Sequence, residues 1–598
     1  MLTEVPQAIS EAIKIAPVDP QYYGPDDDRV TRFVDQTIDT WSNAEPELAG
    51  GLNQLKDLLT PLEQEALTFY LASTAFAIAD AAPPLEKPQQ EIKERATGVT
   101  LFKNLTSGEI ESERDAFRTT WQTVYPENLS FAATATFTRE TVLSQPEIPD
   151  LDAKLAQLKA DFAAEMQTWK DAGKTPEMRD MLSMKLKLES KYPNLKDYMF
   201  DLTIGDVDLV SNPVEPEYSD VPERMGFTGE KLWRIDQRAK EYQRLLRRAG
   251  VNITGYQPIP LGWNALITRG LDYLGHYGMN GYQNEGCFMD YGGSYAMDRA
   301  FLLAKRTLSE EGVTSPTALF PTPGFMMMKD VAENTGLKTM ELVTKPEDHF
   351  LPTPDKLKEI LLAHPEIKIL VLTPINNPGS HVAEAERIKQ ILDMLEGEQQ
   401  FKDIIVINDL AYLGTGDKDQ NTQLGKTLNQ RRRRIDVLAW TKLLGRPGLR
   451  CATAGTPDPE IAKWVKPVAR NVTLAISYPM QAETLAVLDF VKLEDMERLY
   501  QLYRHRQEKM IETLKLRPDL FDIYHALVTT WDAALYAFVP LANGVDPLDI
   551  MPQTGLFGTS ARAFYASVFP DIPNYIRFAL GKQPITEQTI DRMRKMMS

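Results

Sequence analysis

Between Thr317 and Leu438 the chain alternates short apolar runs with segments of helical periodicity, and this alternation restricts the fold more than any other feature. The runs are Thr317-Ala318-Leu319-Phe320, Lys368-Ile369-Leu370-Val371-Leu372, Ile404-Ile405-Val406-Ile407 and Ile435-Asp436-Val437-Leu438. Helical patterns lie between them at Lys329 to Gly336 and Glu384 to Leu395. Strands that alternate with helices need right-handed crossovers, so the expectation is a mainly parallel sheet. Such sheets bind ligands outside the carboxyl ends of their strands. The residues just after each run are therefore the candidates for chemistry.

Lys442 follows the last run, in Ala439-Trp440-Thr441-Lys442-Leu443-Leu444-Gly445-Arg446-Pro447-Gly448-Leu449-Arg450. A lysine at the end of a buried strand is unusual. Desolvation penalises the ammonium and leaves a nucleophilic amine. Such amines form Schiff bases with carbonyls, pyridoxal phosphate being the commonest partner. Asn408-Asp409-Leu410-Ala411-Tyr412 follows the third run. A carboxylate there must find a cation or take up a proton. A protonated pyridine nitrogen would serve, and Tyr412 could reach the other side of that ring; a helix N-cap is the plainer role for Asp409.

Three further segments read either way. Asn377, in Pro374-Ile375-Asn376-Asn377-Pro378-Gly379-Ser380, could donate to a phenolic oxygen, yet Asn-Pro-Gly is also good turn chemistry. Phe325, in Pro323-Gly324-Phe325, could stack on a pyridine ring or fill the core. Tyr291-Gly292-Gly293-Ser294 precedes a helical run, Asp298 to Leu308. Its backbone N–H groups and the Ser294 hydroxyl could meet a phosphate at a helix N-terminus, or form an ordinary turn.

Taken together, Asn-Pro, then Asp-x-Ala-Tyr, then Thr-Lys with an arginine eight residues on resembles the fold-type I pyridoxal-phosphate enzymes of the aspartate aminotransferase superfamily. The intervals are 32 residues from Asn377 to Asp409 and 33 from Asp409 to Lys442. Asp201-Leu202-Thr203-Ile204-Gly205-Asp206-Val207-Asp208 resembles the superfamily's N-terminal strand and glycine segment. Tyr256-Gln257-Pro258-Ile259-Pro260-Leu261-Gly262 resembles its cofactor-contacting tyrosine segment, and Tyr575-Ile576-Arg577-Phe578 its C-terminal arginine segment.

The resemblance implies an α/β fold: a mainly parallel seven-stranded sheet in a PLP-binding large domain over 196–455, and a small α+β domain over 456–598. It implies pyridoxal 5'-phosphate as cofactor, with Lys442 as Schiff-base and proton-transfer lysine. Asp409 would keep the pyridine nitrogen protonated. Tyr412 and Asn377 would bond the phenolic oxygen, and Phe325 would stack on the ring. Gly293, Ser294, Thr441 and Arg450 would hold the phosphate, joined by Tyr256 from the neighbouring subunit of a homodimer. Arg577 would fork onto the substrate α-carboxylate, a bidentate task that lysine performs poorly. Three departures stand out: Asn-Pro-Gly-Ser replaces the usual Asn-Pro-Thr-Gly, Ala439 stands where a serine is common, and Arg446-Pro447 interrupts the glycine turn.

The resemblance covers about residues 195 to 598 and leaves the first third of the chain unassigned. Residues 1–195 read as a mostly helical extension, from the leucines at 52, 55, 58, 59 and 62, the apolar run Ala66 to Ala82, and the amphipathic segment Leu151 to Trp169. The run Arg431 to Arg434 reads as a solvated loop. A net charge of -18 across 598 residues argues against nucleic acid as a partner. Two cysteines exclude a disulfide framework and fit a reducing compartment. With no signal-peptide pattern and no membrane-length apolar run, a cytoplasmic location is expected.

The histidines, His276 and His381 among them, lack metal-ligand spacing and read as surface or structural residues; no metal is expected. The expected function is transfer of an amino group between an L-amino acid and a 2-oxo acid. A lyase resembling aspartate 4-decarboxylases and a non-catalytic cofactor-binding protein are the alternatives. No second arginine stands out for a distal carboxylate, Arg562 and Arg269 being the candidates.

Overall fold

The structure is a computed structural model that describes residues 148–174, 176, 178–210, 214–248, 251–253, 261–472, 476–523, 532–565 and 572–598. The leucine and alanine patterns before residue 148, and Tyr256, lie outside the described residues.

The described residues divide between two compact units. The smaller contains the helices Gly229–Arg248 and Tyr478–Phe490, which pack on each other. Asp489 accepts from Arg238 Nε at 2.9 Å and from the Tyr242 hydroxyl, and all three side chains are buried. A buried ion pair is tolerable only when its other lone pairs are bonded, which the tyrosine helps to ensure.

The larger unit comprises the described residues of Pro146–Phe227, Pro258–Ile476 and Leu493–Ser598. Its strands are β1 Phe200–Asp201, β2 Cys287–Asp290, β3 Thr317–Thr322, β4 Lys338–Val343, β5 Ile367–Leu372 and β6 Ile405–Asp409, then β7 Arg434–Ala439, β8 Ala452–Gly455, β9 Tyr536–Pro540, β10 Leu556–Phe557, β11 Thr559–Ser560 and β12 Tyr575–Ala579. Seven form one sheet in the order β2-β8-β7-β6-β5-β3-β4. β8 runs antiparallel to β2 and β7, and the remaining pairings are parallel. The carboxyl ends of β2, β3, β5, β6 and β7 therefore share one edge.

Every residue of β2, β6, β7 and β8 is buried, as expected of a sheet covered on both faces. Helix Gly293–Glu310 contributes Ala296, Met297, Ala300 and Phe301 to the core cluster that holds Ile405, Ile407, Ile435 and Val437. Each such large apolar side chain stabilises the fold by about 1.5–3 kcal/mol.

The four apolar runs are β3, β5, β6 and β7, and the helical patterns between them are the helices Met327–Asn334 and Ala385–Gly397. The arginine run differs from the solvated loop expected of it. Arg431 and Arg434 are both 1% exposed. Arg434 donates to Asp436 Oδ2 at 2.7 Å, and Asp436 also accepts from Asn408 and from the Tyr282 hydroxyl at 2.7 Å each. Arg431 reaches Glu396 at 2.6 Å. Partners within reach make these cations bearable inside the protein.

β11-β12-β9 form a small antiparallel sheet, and β1 pairs with β10 in parallel. The Leu151 to Trp169 pattern is the helix Leu151–Asp171, which buries Leu155, Leu158, Phe162 and Met166. These side chains cluster with Leu548, Met551, Phe557 and Met596. The Phe162 and Phe557 ring centroids are 5.1 Å apart. Among the described residues no helix is long and apolar enough to cross a membrane.

Candidate active site

Asp409 is the last residue of β6 and pairs with Val437 on β7. Its carboxylate is buried and accepts the Ala411 N–H at 3.1 Å. Among the described residues no cation pairs with it, and burial pushes its pKa up to about 6. Lys442 stands three residues beyond the end of the neighbouring strand, in the single helical turn Trp440–Leu443. It is half-buried rather than enclosed, while Trp440, Thr441 and Leu443 point inward. Its Nζ donates to the Gly205 carbonyl. The amine and the carboxylate thus leave adjacent strands at the same sheet edge.

A connected group of side chains extends from this pair. The Tyr412 hydroxyl lies 2.7 Å from that of Tyr536, the first residue of β9. Desolvation first, then the neighbouring Tyr536 and Asp409, hold the Tyr412 phenol well above its usual range, against the opposing pull of Arg577. Arg577, in β12, is 1% exposed. Its Nη1 donates to Asn377 Oδ1 at 2.9 Å and its Nη2 to the Thr203 carbonyl. The guanidinium lies 4.6 Å from the Tyr536 ring centroid and 5.0 Å from that of Phe564. One edge of a buried cation is thus fixed between two aromatic faces. Asn377 belongs to the loop after β5, and its neighbour Asn376 holds that loop by accepting the Gly379 N–H at 2.6 Å.

The third part of the site lies where β2 ends. Gly292 has φ 79°, and helix Gly293–Glu310 starts directly after it with no side chain capping its N-terminus. A Cβ on Gly292 would lie 2.9 Å from Arg450 Nη2, and one on Gly293 would lie 3.4 Å from the Ala439 Cβ. Glycine is therefore required for the guanidinium to reach this helix start. Uncapped N–H groups, the positive end of the helix dipole and an arginine are together suited to an anion. Ser294 is half-buried at the same helix start. Thr441, buried, precedes Lys442.

Phe325 packs against the core cluster and lines a recess with Pro323, Gly324 and Asn376. The Pro323 carbonyl accepts from Asn376 Nδ2 at 3.3 Å, tying the loops after β3 and β5 together. Of the two candidates for a distal carboxylate, Arg562 is exposed beside Phe564 and Arg269 lies on helix Asn264–His276. His381 bonds Asp532 at 3.1 Å and stacks on His349 with centroids 4.3 Å apart, a structural arrangement. Among the described residues no cluster of three or more groups suits a metal. Tyr536 was not singled out by the sequence, and Thr203 entered only as part of the segment Asp201 to Asp208.

The chain matches the family model for aminotransferase class I and II over residues 281–544. That span contains Gly293, Ser294, Phe325, Asn377, Asp409, Tyr412, Thr441, Lys442 and Arg450. Over those residues the chain is similar to that family, and its fold is that of the fold-type I enzymes. No curated protein matches its sequence. Solved structures of similar fold include an aminotransferase from Mycobacterium tuberculosis, 17% identical with a TM-score of 0.54, covering 71% of this chain and 97% of that one. An archaeal alanine:glyoxylate aminotransferase is 18% identical with a TM-score of 0.54, covering 71% and 95%. An Escherichia coli protein with methionine aminotransferase function is 17% identical with a TM-score of 0.52, covering 69% and 97%. At such identities the likeness speaks to the fold, and fold type I accounts for the seven-stranded sheet.

Proposed function

We propose that this protein is a pyridoxal-phosphate-dependent aminotransferase that moves an amino group between an L-amino acid and a 2-oxo acid. The observation that carries the reading is Asp409: a buried carboxylate with no cation beside it among the described residues, at the strand end next to the one that leads to Lys442. A protonated pyridine nitrogen is the partner such a carboxylate lacks, and the Gly292–Ser294 and Arg450 cradle suits a phosphate. The residues fit the cofactor. The chemistry pyridoxal phosphate supplies when bound is an electron sink for the substrate's α-carbon.

Each residue then has a task. Asp409 holds the proton on the pyridine nitrogen. The helix N-terminus at Gly293, the Ser294 and Thr441 hydroxyls and the Arg450 guanidinium hold the phosphate. Lys442 Nζ would be the amine that anchors the cofactor and the base that moves a proton at the substrate's α-carbon. Tyr412 and Asn377 would bond the cofactor's phenolic oxygen, and Phe325 would pack against the ring. Arg577, already held by Asn377 and Thr203, grips the substrate α-carboxylate. The reading includes a homodimer in which Tyr256 reaches the neighbouring subunit's phosphate, and a cytoplasmic enzyme of amino acid metabolism.

The test is a half-reaction. The reconstituted yellow protein, given single amino acids without an oxo acid, should lose its visible absorbance once and stop at one equivalent of 2-oxo acid per site. Continued turnover with release of carbon dioxide would instead assign a lyase. Arg577→Lys should leave the absorbance intact and lower kcat/KM about 10–100-fold through KM, because a planar fork becomes a point charge. An unchanged KM would remove Arg577 from the substrate site.

A further inference from the structure

The Tyr536 hydroxyl is held on two sides. It lies 2.7 Å from the Tyr412 hydroxyl, and a methyl group on Gly205 would come within 2.1 Å of it. Its backbone is held too: Gln507 Nε2, buried, donates to the Tyr536 carbonyl at 2.7 Å and to that of Ala533 at 3.1 Å. The Tyr412 and Tyr536 rings meet edge-on at 80°, with centroids 5.8 Å apart. Its ring face carries the Arg577 guanidinium. One side chain therefore touches the Tyr412 hydroxyl, the Gly205 backbone that accepts from Lys442, and the plane of Arg577.

We propose that Tyr536 is a positioning residue with two separable roles: its hydroxyl donates to Tyr412 and its ring sets the plane of Arg577. The proposal rests on the aminotransferase reading, in which Tyr412 faces the cofactor's phenolic oxygen. A phenol has a single proton and can also accept. When Tyr536 donates, the Tyr412 proton is left for the phenolic oxygen, and a donor that itself accepts a hydrogen bond donates more strongly. The groups that face this pair include Asp409, Arg577, Tyr503 and, through Gly205, Lys442. A hydrogen bond to the phenolic oxygen favours the deprotonated chromophore.

The experiment is a pH titration of the visible absorbance of the cofactor-loaded protein, alongside KM for an amino acid, in wild type, Tyr536→Phe and Tyr536→Leu. Tyr536→Phe keeps the ring and should move the absorbance midpoint to higher pH by about 0.5–1 unit with KM within about twofold. Tyr536→Leu should show the same shift and also raise KM several-fold, up to about tenfold, as the aromatic face is lost. A wild-type midpoint in Tyr536→Phe overturns the role of the hydroxyl. A KM in Tyr536→Leu equal to that of Tyr536→Phe overturns the role of the ring. A wild-type protein that binds pyridoxal phosphate without any visible absorbance overturns the functional reading itself, an outcome distinct from both.

Discussion

Lys442→Ala should lower turnover by about 10⁴-fold or more, since on the proposed function one amine is both covalent anchor and proton carrier. The cofactor should then wash out on dialysis or remain held by its phosphate alone, and the visible band should change to that of the free aldehyde. The fold should be unaffected, because Lys442 is half-buried and its neighbours Trp440 and Leu443 supply the local packing. A small primary amine added to the variant should restore part of the activity. Turnover at the wild-type rate in Lys442→Ala would refute the assignment of the amine.

Asp409→Asn should act in opposite directions on function and on stability. Loaded with cofactor, the variant should lose about 10²–10³-fold in turnover, because a neutral amide holds no proton on the ring nitrogen. Free of cofactor, it should be the more stable protein. The Asp409 pKa of about 6 stands above the roughly 3.9 of an unfolded aspartate. Both states are neutral below about pH 4, so no penalty exists there. As pH rises the unfolded chain ionises first, and above about pH 6 the folded state bears the whole cost, on the order of 3 kcal/mol. Asparagine never ionises and can still accept the Ala411 N–H. Denaturant unfolding of the two cofactor-free proteins should therefore separate them by about 3 kcal/mol at pH 7.5 and by about half of that at pH 5. Equal stabilities at both values would mean that the carboxylate is solvated or paired.

Much of the sheet could be read from the chain because β3, β5, β6 and β7 are continuous apolar runs, the mark of strands covered on both faces. β2 and β8 escaped that reading. They are four residues long, and Ala452-Thr453-Ala454-Gly455 has little side chain to betray a strand. The site separates along the same line. Lys442, Asp409, Tyr412 and Asn377 follow strand ends and carry unusual chemistry, so position and residue type agree. Tyr536 lies 124 residues from Tyr412, and nothing local to β9 tells which hydroxyl it meets. The arginine run was misread for the same reason: four adjacent cations suggest solvent, yet the depth of Arg431 and Arg434 is decided by Glu396, Asp436 and Tyr282.

The bonds from Arg577 span 200 residues to Asn377 and 374 to Thr203. On the ribosome, Asn377, Asp409 and Lys442 are made well before the strand that carries this guanidinium. Contacts so distant in sequence also close slowly. On the proposed function, a nascent chain halted before β12 would have its lysine, its carboxylate and the residues proposed to hold a phosphate, but not the guanidinium proposed to grip a substrate's carboxylate. On that same reading, proteolytic removal of the strand Tyr575–Ala579 is accordingly expected to abolish amino-acid recognition.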